Sequence, residues 1–241
     1  NSLRFFVNIK LCLVLCISSI LPFMRFINLH THRKPLSEHE IVIRNAYTEP
    51  ATKLKNLNYF LSCGIHPWLI QKNKFNNISH LHEALKLPNV IAMGECGLDR
   101  VKGAPFKLQL ATLESQLEIV NEFNKPVIMH VVRAYSDLPA LKKKYNFNGI
   151  IHGFNGNEYE MKMLIDLGFK LSFGYRLFLD LKLIKLFKEI PSENIYFETD
   201  TKPLTIEDLY RQACLIRNQN LYELKSGIFK NFERDFSVVL P

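Results

Sequence analysis

The sequence predicts an α/β fold: a (β/α)8 TIM barrel, somewhat shortened in its second βα unit. Three observations carry this expectation. Strand-like apolar runs alternate with stretches of helical periodicity, the pattern of a parallel sheet covered by helices. The chain has 241 residues, a common size for one barrel domain. The apolar runs also end, one after another, in histidines or carboxylates. That puts chemistry-bearing side chains at the carboxyl ends of strands, the face where barrels build sites.

Residues 25–30 read as the first strand and residues 40–46 as a charged, weaker second. The third spans 59–65, the fourth 90–93, the fifth 126–130, the sixth 149–152, the seventh 169–173 and the eighth 195–198. Helical candidates lie between them at 78–87, 107–123, 137–145, 159–167 and 179–189. In the second of these, Leu110, Leu113, Leu117 and Val120 recur at the spacing of one helix face. Little chain separates the first strand from the third, so the second βα unit is the short one. Residues 205–236 read as two closing helices. Residues 24–241 are expected to form one domain.

Residues 1–23 stand apart. An uncharged, largely apolar run at 11–23 follows Arg4 and Lys10. It is short for a membrane span and lacks a small-x-small cleavage site. Residues 1–23 are expected to be an extension or tail, with Met24 as the functional start and a secretory signal as the alternative.

Hydrophobic residues make up 47% of the chain and charged ones 22%, which suits a globular core and argues against disorder. A formal charge of +8 suits a polyanionic partner such as nucleic acid. The five cysteines are odd in number and contain no C-x-x-C pair. That argues against a disulfide framework and a thiolate zinc site, and it points to a reducing compartment, the cytoplasm. No membrane association and no obligate protein partner are expected.

The stretch with most chemical content is Ile91-Ala-Met-Gly-Glu-Cys-Gly-Leu-Asp99. Glu95 follows an apolar strand between Gly94 and Gly97. A carboxylate there is costly unless something cationic meets it. His30-Thr31-His32 closes the first strand, and alternation puts both imidazoles on one side. His130, His152 and Asp200 close or follow the fifth, sixth and eighth strands. Four histidines and two carboxylates exceed what one ion needs and suit two ions with a shared carboxylate. Cys96, beside Glu95 on an extended chain, should point the other way and pack.

The motifs Asn28-Leu-His-Thr-His32, Gly64-Ile-His-Pro67, Gly94-Glu-Cys-Gly-Leu-Asp99, Pro126-Val-Ile-Met-His130, Ile151-His-Gly-Phe154 and Glu198-Thr-Asp200 resemble the TatD family of metal-dependent deoxyribonucleases. The likeness runs from about residue 26 to residue 236. It implies a hydrolase acting on ester bonds, cleaving DNA with a water activated between two divalent ions (Mg, Mn or Zn). By the same resemblance His30, His32 and Asp200 would hold one ion, His130 and His152 the other, and Glu95 would bridge them. Glu95 and Asp200 would be the catalytic pair, with Glu198 supporting Asp200. His66 and Arg133 are the candidates for holding a substrate phosphate.

Three positions depart from the family pattern. Asn28 stands where an aspartate is usual, so weaker orientation of His30 is expected. Arg133 comes one residue later than the usual arginine. Arg100 replaces an aromatic residue. The same cluster could also attack a small phosphodiester, an amide or a lactone, and the sequence leaves that choice open.

Overall fold

The computed structural model describes residues 24–47, 49–70 and 77–240, so the expectations for residues 1–23 lie outside the described residues. Eight parallel strands form one sheet in sequence order. They are β1 (Phe26–Thr31), β2 (Glu40–Asn45), β3 (Phe60–Cys63), β4 (Val90–Asp99), β5 (Val127–Val132), β6 (Gly149–Ile151), β7 (Lys170–Phe173) and β8 (Ile195–Phe197). The sheet returns on itself through a parallel bridge between Thr31 and Asp200. Across that seam the Asp200 amide donates to the His30 carbonyl at 3.0 Å, and the His32 amide donates to the Asp200 carbonyl at 3.3 Å. The barrel is therefore the expected one, and site residues form part of its closure.

The helices are α1 (Ala51–Leu54), α2 (Ile78–Leu85), α3 (Phe106–Phe123), α4 (Leu138–Lys144), α5 (Glu158–Asp166), α6 (Leu181–Glu189), α7 (Ile206–Arg217) and α8 (Leu221–Phe236). Local sequence starts several of them. Asn157 with Glu160, and Thr205 with Asp208, form capping boxes at α5 and α7, each satisfying orphan amides of a first turn. Asp180 accepts from the amides of Lys182 and Leu183 at the start of α6. No helix among the described residues is long and apolar enough to cross a membrane.

The shortening is larger than expected and begins earlier. No helix intervenes between β1 and β2, and only the four-residue α1 lies between β2 and β3. The second strand, suspect for its charge, is almost wholly buried. Its first residue, Glu40, meets Arg33 at 2.8 Å, and Asn28 donates to it at 2.8 Å. A paired carboxylate is tolerable in a barrel wall where a lone one is not.

The fourth strand also differs from expectation. It runs 10 residues, to Asp99, so Glu95 lies within it and not beyond its end. The pairing to β5 slips between Met93 and Cys96. Three steps on β4 face two on β5, a bulge of the kind found beside active sites. Gly94 and Gly97 permit it. Both have positive φ, +142° and +145°, and a side chain on either would strike backbone of β5, at Ile128 and His130 respectively. A second slip, in β1 between Asn28 and Thr31, falls at His30.

Candidate metal centre

Period-two alternation beyond the bulge puts Glu95, Gly97 and Asp99 on one face of β4, with Cys96 and Leu98 on the other. Cys96 is fully buried, with Sγ 3.9 Å from the Ile128 carbonyl, the packing role expected. Glu95, only 4% exposed, stands at the middle of a ring of side chains from other strands. All six expected ligands, His30, His32, Glu95, His130, His152 and Asp200, converge there.

On one side Glu95 Oε2 faces His30 Nε2 at 3.4 Å and His32 Nε2 at 3.8 Å. Asp200 Oδ1 lies 3.7 Å from the first of these nitrogens and 3.3 Å from the second. On the other side Oε1 faces His152 Nε2 at 2.9 Å and His130 Nδ1 at 3.1 Å. His66 Nε2 is also 3.1 Å from Oε1. A carboxylate oxygen has two lone pairs, so three converging imidazole nitrogens exceed its accepting capacity. His30 is fully buried and neither of its ring nitrogens has a hydrogen-bond partner. Orphaned imidazole is expensive in an apolar wall and fits a metal ligand. The donor atoms fall into candidate groups His30–His32–Asp200, His30–Glu95–His152 and His66–Glu95–His130.

Tautomers sort these histidines. His130 Nε2 lies 3.1 Å from Asp99 Oδ2, and His152 Nδ1 lies 3.1 Å from Glu198 Oε1. An ion at the centre would be met by lone pairs on His130 Nδ1 and His152 Nε2, each carboxylate then taking the other N–H; without one, these same nitrogens meet Glu95 Oε1. Tyr47 Oη plays the corresponding part 3.3 Å from His32 Nδ1. In His66, Nδ1 accepts the Trp68 amide at 3.1 Å, so the proton sits on Nε2 and is donated to Glu95. His66, expected as a phosphate contact, is 5% exposed and serves the central carboxylate. Arg133, the other phosphate candidate, lies exposed just past β5 with a φ of +52°.

Electrostatics follow from this crowding. Burial alone would raise the Glu95 carboxyl, but His152 and His30, with hydrogen bonds from His130 and His152, hold it well below the carboxylate range. Burial pulls Asp200 upward too, and His32, His30 and His152 outweigh it to leave the group at about 2. Burial lowers His152, yet Glu95 and Glu198 together keep it well above the usual histidine value. Burial, then the charges of Glu95 and Asp200, push the Tyr47 phenol up to about 12, so it stays neutral.

One expectation needs correction: Glu198 holds His152, not Asp200. Asn28 makes no hydrogen bond to the His30 ring, whose nitrogens are both unpartnered; it donates to Thr199 Oγ1 at 2.9 Å and accepts the Thr199 amide at 3.0 Å. It thus pins the turn before Asp200 to β1. Asp99, Asn45 and Tyr47 were not singled out from sequence. Asn45 donates to Glu95 Oε2 at 2.9 Å. A signal for Asp99 existed, since it shares the parity of Glu95 on an extended strand.

The description TatD related DNase matches residues 30–237. The chain belongs to this family. It is 26% identical over 220 residues to the uncharacterized metal-dependent hydrolase YjjV of Escherichia coli K12, covering 78% of this chain and 85% of that one. It is 30% identical over 176 residues to an uncharacterized metal-dependent hydrolase of Buchnera aphidicola, covering 69% and 66%. The crystal structure of YjjV superposes with a TM-score of 0.78 at 22% identity, covering 90% of this chain and 99% of that one. A TatD-family hydrolase of Entamoeba histolytica superposes at 0.73 with 19% identity, covering 88% and 98%. This TatD-family chain is a metal-dependent hydrolase.

Proposed function

We propose that the protein is a TatD-type deoxyribonuclease that cleaves DNA phosphodiester bonds with two divalent ions, magnesium, manganese or zinc. The observation that carries this reading is the division of Glu95: one oxygen faces His30 and His32, which Asp200 also meets, and the other faces His130 and His152. In this reading those two sets each hold one ion, and Glu95 lies between them. When bound, the ions supply Lewis acidity, a water nucleophile active near neutral pH and neutralisation of phosphate charge.

The chain's own residues do the rest. Asp200, with its side chain 35% exposed, is the most accessible of the six. At about 2 it is a weak base and a dependable hydrogen-bond acceptor, so it orients the attacking water more than it deprotonates it. Asp99 and Glu198 fix the imidazoles of His130 and His152. His66 and Asn45 hold the Glu95 carboxylate in place by donating to it.

Exposed cations follow four strands at this mouth: Lys102 after β4, Arg133 after β5, Arg176 after β7 and Lys202 after β8. An open rim of this sign favours a polyanion over a small neutral amide or lactone. The test is hydrolysis of end-labelled single-stranded DNA with magnesium or manganese. Glu95→Ala and Asp200→Asn should each lower kcat at least about 100-fold with circular dichroism unchanged. Wild-type rates in both variants would reject the site, and no cleavage by folded wild type with any divalent ion would reject the activity.

A further inference from the structure

The proposed chemistry leaves Trp68 without a role, yet the structure holds it firmly at the rim. It is the only tryptophan in the chain. Its indole Nε1 donates to Asp99 Oδ2 at 2.7 Å, the same oxygen that meets His130 Nε2 at 3.1 Å. Its amide is engaged by His66. Its ring meets His66 and His130 edge-on, with centroids 5.0 and 5.4 Å apart. The indole is half-buried, and the Lys102 ammonium covers one face, 3.6 Å from the ring centroid.

The loop carrying Lys102 is pinned through its backbone. The amides of Val101 and Lys102 donate to Asp99 Oδ1 at 2.8 and 2.9 Å, and the Ala104 amide donates to the Pro67 carbonyl at 3.1 Å. Gly103 has a φ of +104°, and a side chain there would meet that same carbonyl at 2.6 Å. The lysine side chain itself is exposed and free to swing. The result is a fixed aromatic plane beside the candidate ligands, covered by a cation on a tether.

We infer that Trp68 and Lys102 form a nucleotide subsite: a base flanking the scissile phosphate stacks on the indole, and the displaced Lys102 ammonium takes the adjoining phosphate. An ammonium over an indole is held by a cation–π contact worth little at an exposed site. A stacked base contributes more, and it tolerates any sequence because every base has a π-face. The subsite thus favours single-stranded or frayed DNA. It rests on the nuclease reading and refines its substrate.

Because Trp68 is the only tryptophan, its emission reports the subsite directly. The magnesium-loaded wild type is titrated with a tetrathymidylate bearing phosphorothioate linkages, and with an abasic analogue of equal length. Binding is followed in parallel by anisotropy of an end label. The expected result is quenching by the thymidylate, little change with the abasic probe, and weaker binding of the latter. Trp68→Leu should raise the Kd for the thymidylate about 5- to 150-fold, the range set by one lost stack, with no penalty on the abasic probe. Trp68→Phe, which keeps a stacking face, should restore most of the loss. Lys102→Met should reduce the salt slope of binding by about 1. Binding of both probes with equal affinity and unchanged emission would overturn the subsite and leave the nuclease reading standing. Failure of either probe to bind, together with no DNA cleavage, would remove both.

Discussion

Asp200 is joined to His30 twice: its amide donates to the His30 carbonyl at 3.0 Å, and its Oδ1 lies 3.7 Å from His30 Nε2. The first contact closes the barrel, and the second helps assemble the site. Backbone pairing across the last seam therefore sets where the side chains at the ends of β1 and β8 stand. A ligand set so built inherits the rigidity of the barrel wall, which is what preorganised chemistry requires.

The pair His152 and Glu198 gives a prediction about metal affinity. Glu198 accepts from His152 at 3.1 Å and its other oxygen is buried without a partner. Glu198→Gln keeps the shape but removes the charge that fixes the imidazole. Manganese affinity, measured by calorimetry, should fall about 10- to 100-fold. For wild type, chelation should lower the melting temperature. Ions restored at about 100 times their Kd should return about 2.7 kcal/mol. Equal affinities in the two proteins would show that Glu198 does not orient the histidine.

Glu40 gives a prediction about pH. Burial works to raise its carboxyl, while hydrogen bonds from Arg33, the Leu36 amide and Asn28, and the charge of Arg33, bring it below the ordinary value of 4.5. A carboxylate depressed in the folded state stabilises above its unfolded pKa, and that stability is lost as pH falls through the folded value. Glu40→Gln should therefore cost about 1.5–3 kcal/mol at pH 7. The gap between the two proteins should narrow as pH falls below 4.5. Urea midpoints at several pH values measure it, and a gap independent of pH would contradict the ion pair with Arg33.

Gly97 gives a prediction about the bulge. Its φ is +145° and an added Cβ would strike the His130 carbonyl. Gly97→Ala should destabilise by at least about 2 kcal/mol, through backbone strain and displacement of β5. It should also weaken metal binding, because His130 moves with that carbonyl. Gly168→Ala is the control. Its φ is also positive, +81°, but nothing lies within 4 Å, so only strain is added and manganese affinity should hold. If both variants bound manganese alike, the close approach to His130 would be irrelevant to the site.

Much of the architecture was legible beforehand because periodicity is local. Alternating apolar runs marked the strands, and the candidate ligand residues stood out because each followed such a run. Glu40 misled in the opposite sense: its charge made β2 look doubtful, since the partner that neutralises it, Arg33, belongs to the preceding loop. The role of Glu198 was misread because sequence proximity favours Asp200, whereas the chain leaves the extended conformation after β8, with a φ of +48° at Asp200, and Glu198 meets His152 just past β6.

By itself the sequence determined the class of fold, the strands that bear chemistry, and the inventory of four histidines and two acids. Only the tertiary structure decided which oxygen of Glu95 faces which imidazole, that His66 donates to Glu95, and that Asp99 ties Trp68 to His130. The reason is physical. Side-chain parity is set along one strand, but partnership across a barrel depends on register between strands, and here bulges at His30 and Glu95 shift that register.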